Sequence, residues 1–352
     1  MQVQQIKLVA ISDQFLVHLP PDRTYENIKL EDCIALLNPQ AKSQARSKGL
    51  LLLADGQRFP GEAALNAKPQ AETLAWNHPR LGRIDVPFKL IQSVLLTAEA
   101  VAPAPGKTDV VLLANGDKQE GFVTALGNPI TLEVEHDGQR QNIDIPLNLV
   151  AAVTLVAPKQ PPSGRRIWFE DGTVIDVQSI AVGDDGFVRL TGSSLASGTL
   201  PTGVGLSQIA AILLDPKGMI PLATLTPSRV EGPPLRYVLP KPQVLDPNAP
   251  LGLSKIEIRG PLVVRYTLPV GCQRFTAEAE LPREARQWGD YDLVIRTNDD
   301  EVFRSHLNDA TPTATINVPV TGRELTIELT QGAHGPIQDQ LILNRAMLLN
   351  KP

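Results

Sequence analysis

The sequence predicts an all-β fold: tandem small β-barrel-like repeats followed by a β-sandwich of jelly-roll type. Three observations predict it. A strand–turn–strand phrase occurs three times, about 56 to 60 residues apart. The chain's 31 prolines and 26 glycines among 352 residues lie between short Val/Leu/Ile runs, which suits turns and edge strands and disfavours long helices. Past residue 250, eight short runs with regular turn signals follow within about a hundred residues, the strand count of a sandwich.

Residues 1–48 read as a partial copy and a linker. Phe15–Leu19 reads as a strand, Pro20–Arg23 as a turn, Ile28–Leu30 as the next strand and Cys33–Leu37 as a closing apolar run. Asn38–Gly49 is polar, without apolar period, and reads as a linker or short exposed helix. Full copies follow over 49–101, 107–157 and 164–216. They open on Leu51–Phe59 (LLLADGQRF), Val111–Lys118 (VLLANGDK) and Ile167–Ile175 (IWFEDGTVI). Asp-Gly or Asn-Gly between apolar runs predicts a tight hairpin with positive φ at both turn residues. Strands Thr73–Trp76, Thr131–Val134 and Phe187–Leu190 come next. Then come Ile84–Pro87, Ile143–Pro146 and, in the third copy, Leu200-Pro201, with proline at the strand end, where a missing N–H does least harm. Leu90–Val94, Leu149–Val153 and Ile209–Ile212 close the copies. Units of about five short strands suggest Sm-like or SH3-like barrels, or blades of one extended sheet. Ala102–Gly106 and Ala157–Gly164 are proline-rich, semi-rigid spacers.

Residues 217–250 read as a proline-rich connector and 251–352 as the sandwich. Its expected strands are Lys255–Arg259, Leu262–Leu268, Gln273–Glu280, Tyr291–Thr297, Glu301–Ser305, Ala314–Val318, Glu324–Thr330 and Gln340–Leu349.

Composition narrows the function classes. A net charge of -5, with no concentrated Lys/Arg block, argues against nucleic acid as a partner. No run approaches the eighteen or so apolar residues of a membrane span. Met1–Gln5 does not open a signal peptide, which leaves a cytoplasmic protein or a mature periplasmic or extracellular chain. Two cysteines, Cys33 and Cys272, lie in different expected domains and read as free thiols.

Several phrases in the last third resemble one family. Leu251–Gly260 (LGLSKIEIRG), Val264–Pro269 (VRYTLP) and Cys272–Ala277 (CQRFTA) are similar, in that order, to the opening of the NPCBM family of carbohydrate-binding modules. Tyr291–Arg296 and Asp300–Phe303 look like its strand–turn–strand with an acidic hairpin, Val318–Leu329 like its penultimate region, and Gln338-Asp339 onward like its last strand. Pro221–Pro227 resembles the lead-in of exported bacterial proteins that carry this module after β repeats of Sm/SH3-like kind. The family often has an acidic phrase with His and Trp before its last strand; this chain keeps Asp339 but continues Gln340–Arg345 (QLILNR), without tryptophan. The resemblance implies carbohydrate binding and export.

Three residues are candidates for contact with such a ligand: Trp288, in an expected loop, with Tyr291 and Asp339. An aromatic side chain offers a flat apolar face to a pyranose ring, if it is exposed. Tyr266 is the one further Trp or Tyr of the domain proper, and Trp76 and Trp168 lie inside strand patterns, as core or inter-repeat packing. Asp299 and Asp300 form the densest acidic spot; they read as a weak structural Ca²⁺ candidate or as turn chemistry. No cofactor is otherwise expected. A glycosidase needs paired carboxylates, and Asp290 with Asp339 is the available pair. The five histidines and two cysteines show no metal-ligand spacing, and no Ser-His-Asp or Cys-His set is suggested. The sequence therefore predicts a non-catalytic recognition or scaffold protein with a glycan-binding C-terminal module. The alternative is an accessory subunit of a larger complex, in which the sandwich contacts protein.

Overall fold

The computed structural model describes residues 7–12, 14–19, 26–41, 48–64, 73–104, 106–136, 138–183, 185–193, 195, 204–233 and 239–350. The expected turn at Pro20–Arg23, much of the 38–49 linker and Leu200-Pro201 fall outside them. The described residues are all-β, with helical structure confined to short 3-10 turns. The chain divides into a unit of residues 5–216 and a unit beginning at Lys217.

In the first unit each full copy is a meander whose fifth strand returns beside its first. In the second copy the sheet runs Gln139–Ile145, Ile130–His136, Lys118–Ala125, Asp109–Leu113, Val150–Thr154. A 3-10 turn precedes every fifth strand: Phe88–Leu90, Leu147–Leu149 and Leu206–Gln208, with Leu30–Asp32 in the partial copy. The hairpin between strands one and two is not the two-residue turn the sequence suggests. Only the glycine takes positive φ, +88° at Gly56, +92° at Gly116 and +86° at Gly172. The residue before it instead accepts, on its side chain, the N–H two positions on, as Asp55 does from Gln57 at 3.0 Å. Leu53 and Gln57 close a three-residue loop, the arrangement of a type I turn ending in a left-handed residue.

Among the described residues no copy closes into a barrel. The copies instead join edge to edge in one 14-stranded sheet. The second strand must bend out of the plane of the first hairpin, and Gly61 and Gly121 occupy the same repeat position at that bend. A Cβ there would run into the backbone carbonyls of Asn77 and Glu133. In the third copy the matching position is Val177, opposite Arg165, and the strand breaks instead at Gln178.

Seams between copies repeat one geometry. The fifth strands of copies one and two pair antiparallel with Val94 facing Val153. Those of the partial and third copies pair with Leu36 facing Ile212. Each couple occupies equivalent repeat positions, so both seams have local twofold character. Single bridges between second strands, Arg58 with Val174 and Ile11 with Val182, complete the connections. One continuous core lies beneath, including Leu51, Phe59, Trp76, Val94, Val153 and Ile167. Trp76 is fully buried, and Trp168 is half-buried.

Polar side chains reinforce the meeting of copies one and three. Arg166 Nε lies 2.6 Å from Asp176 Oδ1 and its Nη2 donates to the Asp55 carbonyl at 2.7 Å. The Asp176 N–H donates to Gln57 Oε1 at 2.9 Å. Arg80 reaches Asp171 at 2.5 Å and lies over the Phe169 ring, and His78 Nε2 meets Thr173 Oγ1 at 2.9 Å. Burial is the main cause that pushes the His78 imidazole down to about 4, with Arg80 adding to it and Asp171 opposing.

The second unit is a β-sandwich. One sheet orders Gln243–Leu245, Lys255–Arg259, Gln340–Leu349, Arg274–Glu280 and Thr313–Pro319, with Met219–Pro221 also pairing Gln340–Leu349. The other orders Arg229–Glu231, Leu262–Thr267, Glu324–Gln331, Tyr291–Thr297 and Asp300–Leu307. Inward alternation on both sheets builds a core around Ile258, Val264, Tyr266, Phe275, Tyr291, Leu293, Ile327 and Leu343. Residues 217–250, expected as a connector, contribute three of these strands; among the described residues of the segment Pro221, at the end of its strand, is the only proline inside one. Cys33 and Cys272 are free thiols, each pushed up by burial.

Candidate functional site

Two loops meet beside the hairpin of Tyr291–Thr297 and Asp300–Leu307, at the end of the sandwich where strand Tyr291–Thr297 begins. The 3-10 turn Arg283–Ala285 leads into the first, and Trp288 and Gly289 both donate backbone N–H to the Ala285 carbonyl. Gly289 admits no side chain: a Cβ would lie 2.7 Å from Leu281 Cδ1 and 2.8 Å from the Ala285 and Gln338 carbonyl oxygens. That tight passage leaves Trp288 on the outside, 45% exposed. The loop before the last strand supplies His334, whose ring stands edge-on to the indole at 5.6 Å with an interplanar angle of 88°. His334 Nδ1 donates to the Trp288 carbonyl at 3.2 Å, which assigns the proton to that nitrogen.

Beside them is a chain of ionisable groups. His306 Nδ1 lies 2.8 Å from Asp292 Oδ1, and His306 Nε2 lies 3.0 Å from Asp290 Oδ1. Arg304 Nη1 donates to Asp292 Oδ2 at 2.9 Å and pairs with Glu301. The His306 hydrogen bond, then Arg304, holds the Asp292 carboxyl below its ordinary range. Asp290 Oδ1 is buried, and His306 approaches it out of line for a hydrogen bond.

Asp339 lies below this rim, 3% exposed. Its Oδ1 accepts the Asp290 N–H at 3.4 Å, and its Oδ2 has no hydrogen-bond partner among the described residues. Burial is the main cause that pushes its carboxyl up to about 6, and the neighbouring Asp290 charge adds to it. Its neighbour Gln338 is held at φ 58°, a conformation that costs an ordinary residue about 1 kcal/mol or more.

The structure thus separates the candidates. Trp288 is an exposed aromatic at the loop end, and Asp339 is buried next to Asp290. Tyr291 is not exposed: it is fully buried, its hydroxyl donating to the Gln340 carbonyl at 2.9 Å, with burial pushing it far above the usual phenol range. It belongs to the core and offers no face to a ligand, as does Tyr266. Asp290 and Asp339 are brought together, but Asp339 is too enclosed to reach a glycosidic oxygen. Asp299 and Asp300 lie at the opposite end of strand Tyr291–Thr297, about 20 Å away. There Asn298 and Asp299, at φ 47° and 71°, make a two-residue turn, and Asp299 lies 3.3 Å from Arg265 Nη1. A guanidinium in that place neutralises the carboxylate that a cation would need. Among the described residues no three His, Cys, Asp or Glu side chains form a metal-holding group.

Sequence reasoning missed His306, His334, Asp290 as a rim residue, Asp292 and Arg304. One signal was available. The Asn298-Asp299 turn fixes the following hairpin, and a bulge between Ile295 and Arg296 brings His306 opposite Asp292.

No protein-family model matches the chain, and no curated protein matches it. Solved structures do. The CBM51 module of Clostridium perfringens GH95, in complex with methyl-galactose, is 14% identical over 37% of this chain and 99% of its own, with a TM-score of 0.31. The CBM51-2 and INT domains of C. perfringens ZmpB are 12% identical over 47% of this chain, at a TM-score of 0.31, and this chain spans 36% of that structure. The tandem CBM51 modules of Sp3GH98, a family 98 glycoside hydrolase of Streptococcus pneumoniae, are 10% identical over 98% of this chain and 88% of theirs, also at 0.31. At such identities and TM-scores the likeness transfers no residue and no ligand to this chain. No helix among the described residues is long and apolar enough to cross a membrane.

Proposed function

We propose that the sandwich is a carbohydrate-binding module of NPCBM type within an exported, non-catalytic protein, and that the repeats form its supporting array. The observation that carries the reading is Trp288. It is a large apolar face turned outward by Gly289 and braced from the side by His334. Near it, starting from Asp290 two residues on, runs a chain of polar side chains, Asp290, His306, Asp292 and Arg304. A sugar presents one apolar ring face and a rim of hydroxyls, and this pairing of an indole with a carboxylate–imidazole–guanidinium chain suits both. The NPCBM-like phrases run through the same strands.

The reading is tested by applying the full chain to a glycan array beside the Trp288→Ala variant. Loss of a ring-sized contact weakens binding about tenfold or more. Equal binding by the variant, or no glycan bound by the wild type, contradicts the assignment.

A further inference from the structure

We infer that two copies of this chain pair through the edge strand Gln139–Ile145, antiparallel and about a twofold axis at Asn142. This strand ends the 14-stranded sheet and, among the described residues, pairs on one side only, with Ile130–His136. Its ladder runs through seven consecutive residue pairs without a bulge. Residues 139–144 are all exposed. The terminal strands of the unit's other sheet, Glu26–Lys29 and Val204–Gly205, are four and two residues long, which is how proteins blunt an edge. Gln139–Ile145 lacks that protection: it has full length, no proline and no lysine.

Its charges select the occupant. Side chains alternate between faces, so Arg140, Asn142 and Asp144 share one face. Antiparallel pairing centred on Asn142 sets Arg140 against Asp144 of the second copy and Asp144 against that copy's Arg140, with Asn142 facing itself. A shift of the axis by one residue loses both ion pairs. Opposite charges directly across a ladder stabilise it and like charges destabilise it, so one register of one strand with itself is favoured. Arg140 is 75% exposed; in its own chain it faces Glu135 across the ladder and lies 3.4 Å from Glu133, and Asp144 accepts from Thr131 Oγ1 at 2.8 Å. Both keep donors or lone pairs for a second partner. The chain already joins its own copies in this manner, at the Val94–Val153 and Leu36–Ile212 seams. A seven-residue ladder with two ion pairs is a small interface, so the association is weak, micromolar or above.

Sedimentation velocity on the full chain from about 1 µM to about 500 µM tests this. The wild type should shift from monomer to dimer. Arg140→Glu and Asp144→Arg each set like charges together and should weaken self-association about tenfold or more. An equimolar mixture of the two variants restores both attractive pairs and should dimerise as the wild type does, which also shows that both variants fold. A wild type that stays monomeric, single variants that dimerise unchanged, or a mixture that stays monomeric would each overturn the proposal.

Discussion

Two sets of buried polar side chains, one in each unit, are treated differently. Between the repeats, His78 meets Thr173, Asp176 meets Arg166 and Gln57, and Ser93 meets Thr154, most of them across copies. In the sandwich, Asp339 is as deeply buried, yet Oδ2 accepts no hydrogen bond among the described residues and Asp290 adds a second carboxylate beside it. Satisfied groups at a seam hold two copies in register. An unsatisfied pair near an exposed tryptophan costs stability, and such a cost is tolerated where a ligand benefits from it. The repeats hold such groups too: His18, buried with Glu26 at 3.4 Å, Trp76 Nε1 and Arg165 Nη1 have no aligned hydrogen bond among the described residues, but none is a carboxylate set beside a second one.

The contrast can be broken hardest at Arg166. Replacing it with methionine leaves Asp176, whose side chain is wholly buried, without its counter-charge. Loss of one partner from a buried pair costs about 3–5 kcal/mol, read as a lower urea midpoint for unfolding. An unchanged midpoint would mean the seam does not depend on that pair.

Opposite pH slopes sharpen the comparison. The folded chain protonates His78 only near pH 4, whereas the unfolded chain takes that proton near pH 6.5. Unfolding therefore binds a proton between those values, and this contribution to stability falls as the pH drops through the window, by up to about 3 kcal/mol. Asp339 works the other way. Folded it holds a proton up to about pH 6, unfolded only to about pH 4, so its burial is tolerated in acid and penalised above pH 6. Urea unfolding of His78→Gln and Asp339→Asn at pH 4.5 and pH 7.5 separates them. The first variant should lose the acid-dependent part. The second should gain about 1 kcal/mol at pH 7.5, after allowance for solvent at the rim, and little at pH 4.5.

The smallest effect is expected at Asp299, 82% exposed against Arg265. Asp299→Ala should change stability by no more than about 0.5 kcal/mol and leave glycan binding intact, and a chelator should not move the melting temperature. A marked loss on chelation would restore the calcium reading.

Much of the sandwich was legible because period-two alternation is strong there; Lys255–Arg259, Tyr291–Thr297 and Gln340–Leu349 begin and end where the pattern says. The same alternation, followed one step further, places Tyr291 with Leu293 and Ile295 on the inward face, against its use as a ligand platform. The strands in 217–250 were hidden because each has three residues, too few for a pattern. The turn type in the repeats escaped because Asp-Gly suits both a two-residue loop and a three-residue loop whose side chain caps the backbone. Pairing of the fifth strands left no trace in any one copy, since it depends on which edges meet. The rim of the site comes from two loops and a hairpin: Trp288, Asp290 and Asp292 are close in sequence and the hairpin register adds His306, but no sequence pattern brings His334 beside them.

The most direct test of the central claim is a crystal structure of the full chain with the glycan that the array selects. The account predicts a sugar ring lying against the Trp288 indole, with hydroxyls on Asp290 or His306. A ring bound elsewhere, with Trp288 untouched, would contradict it.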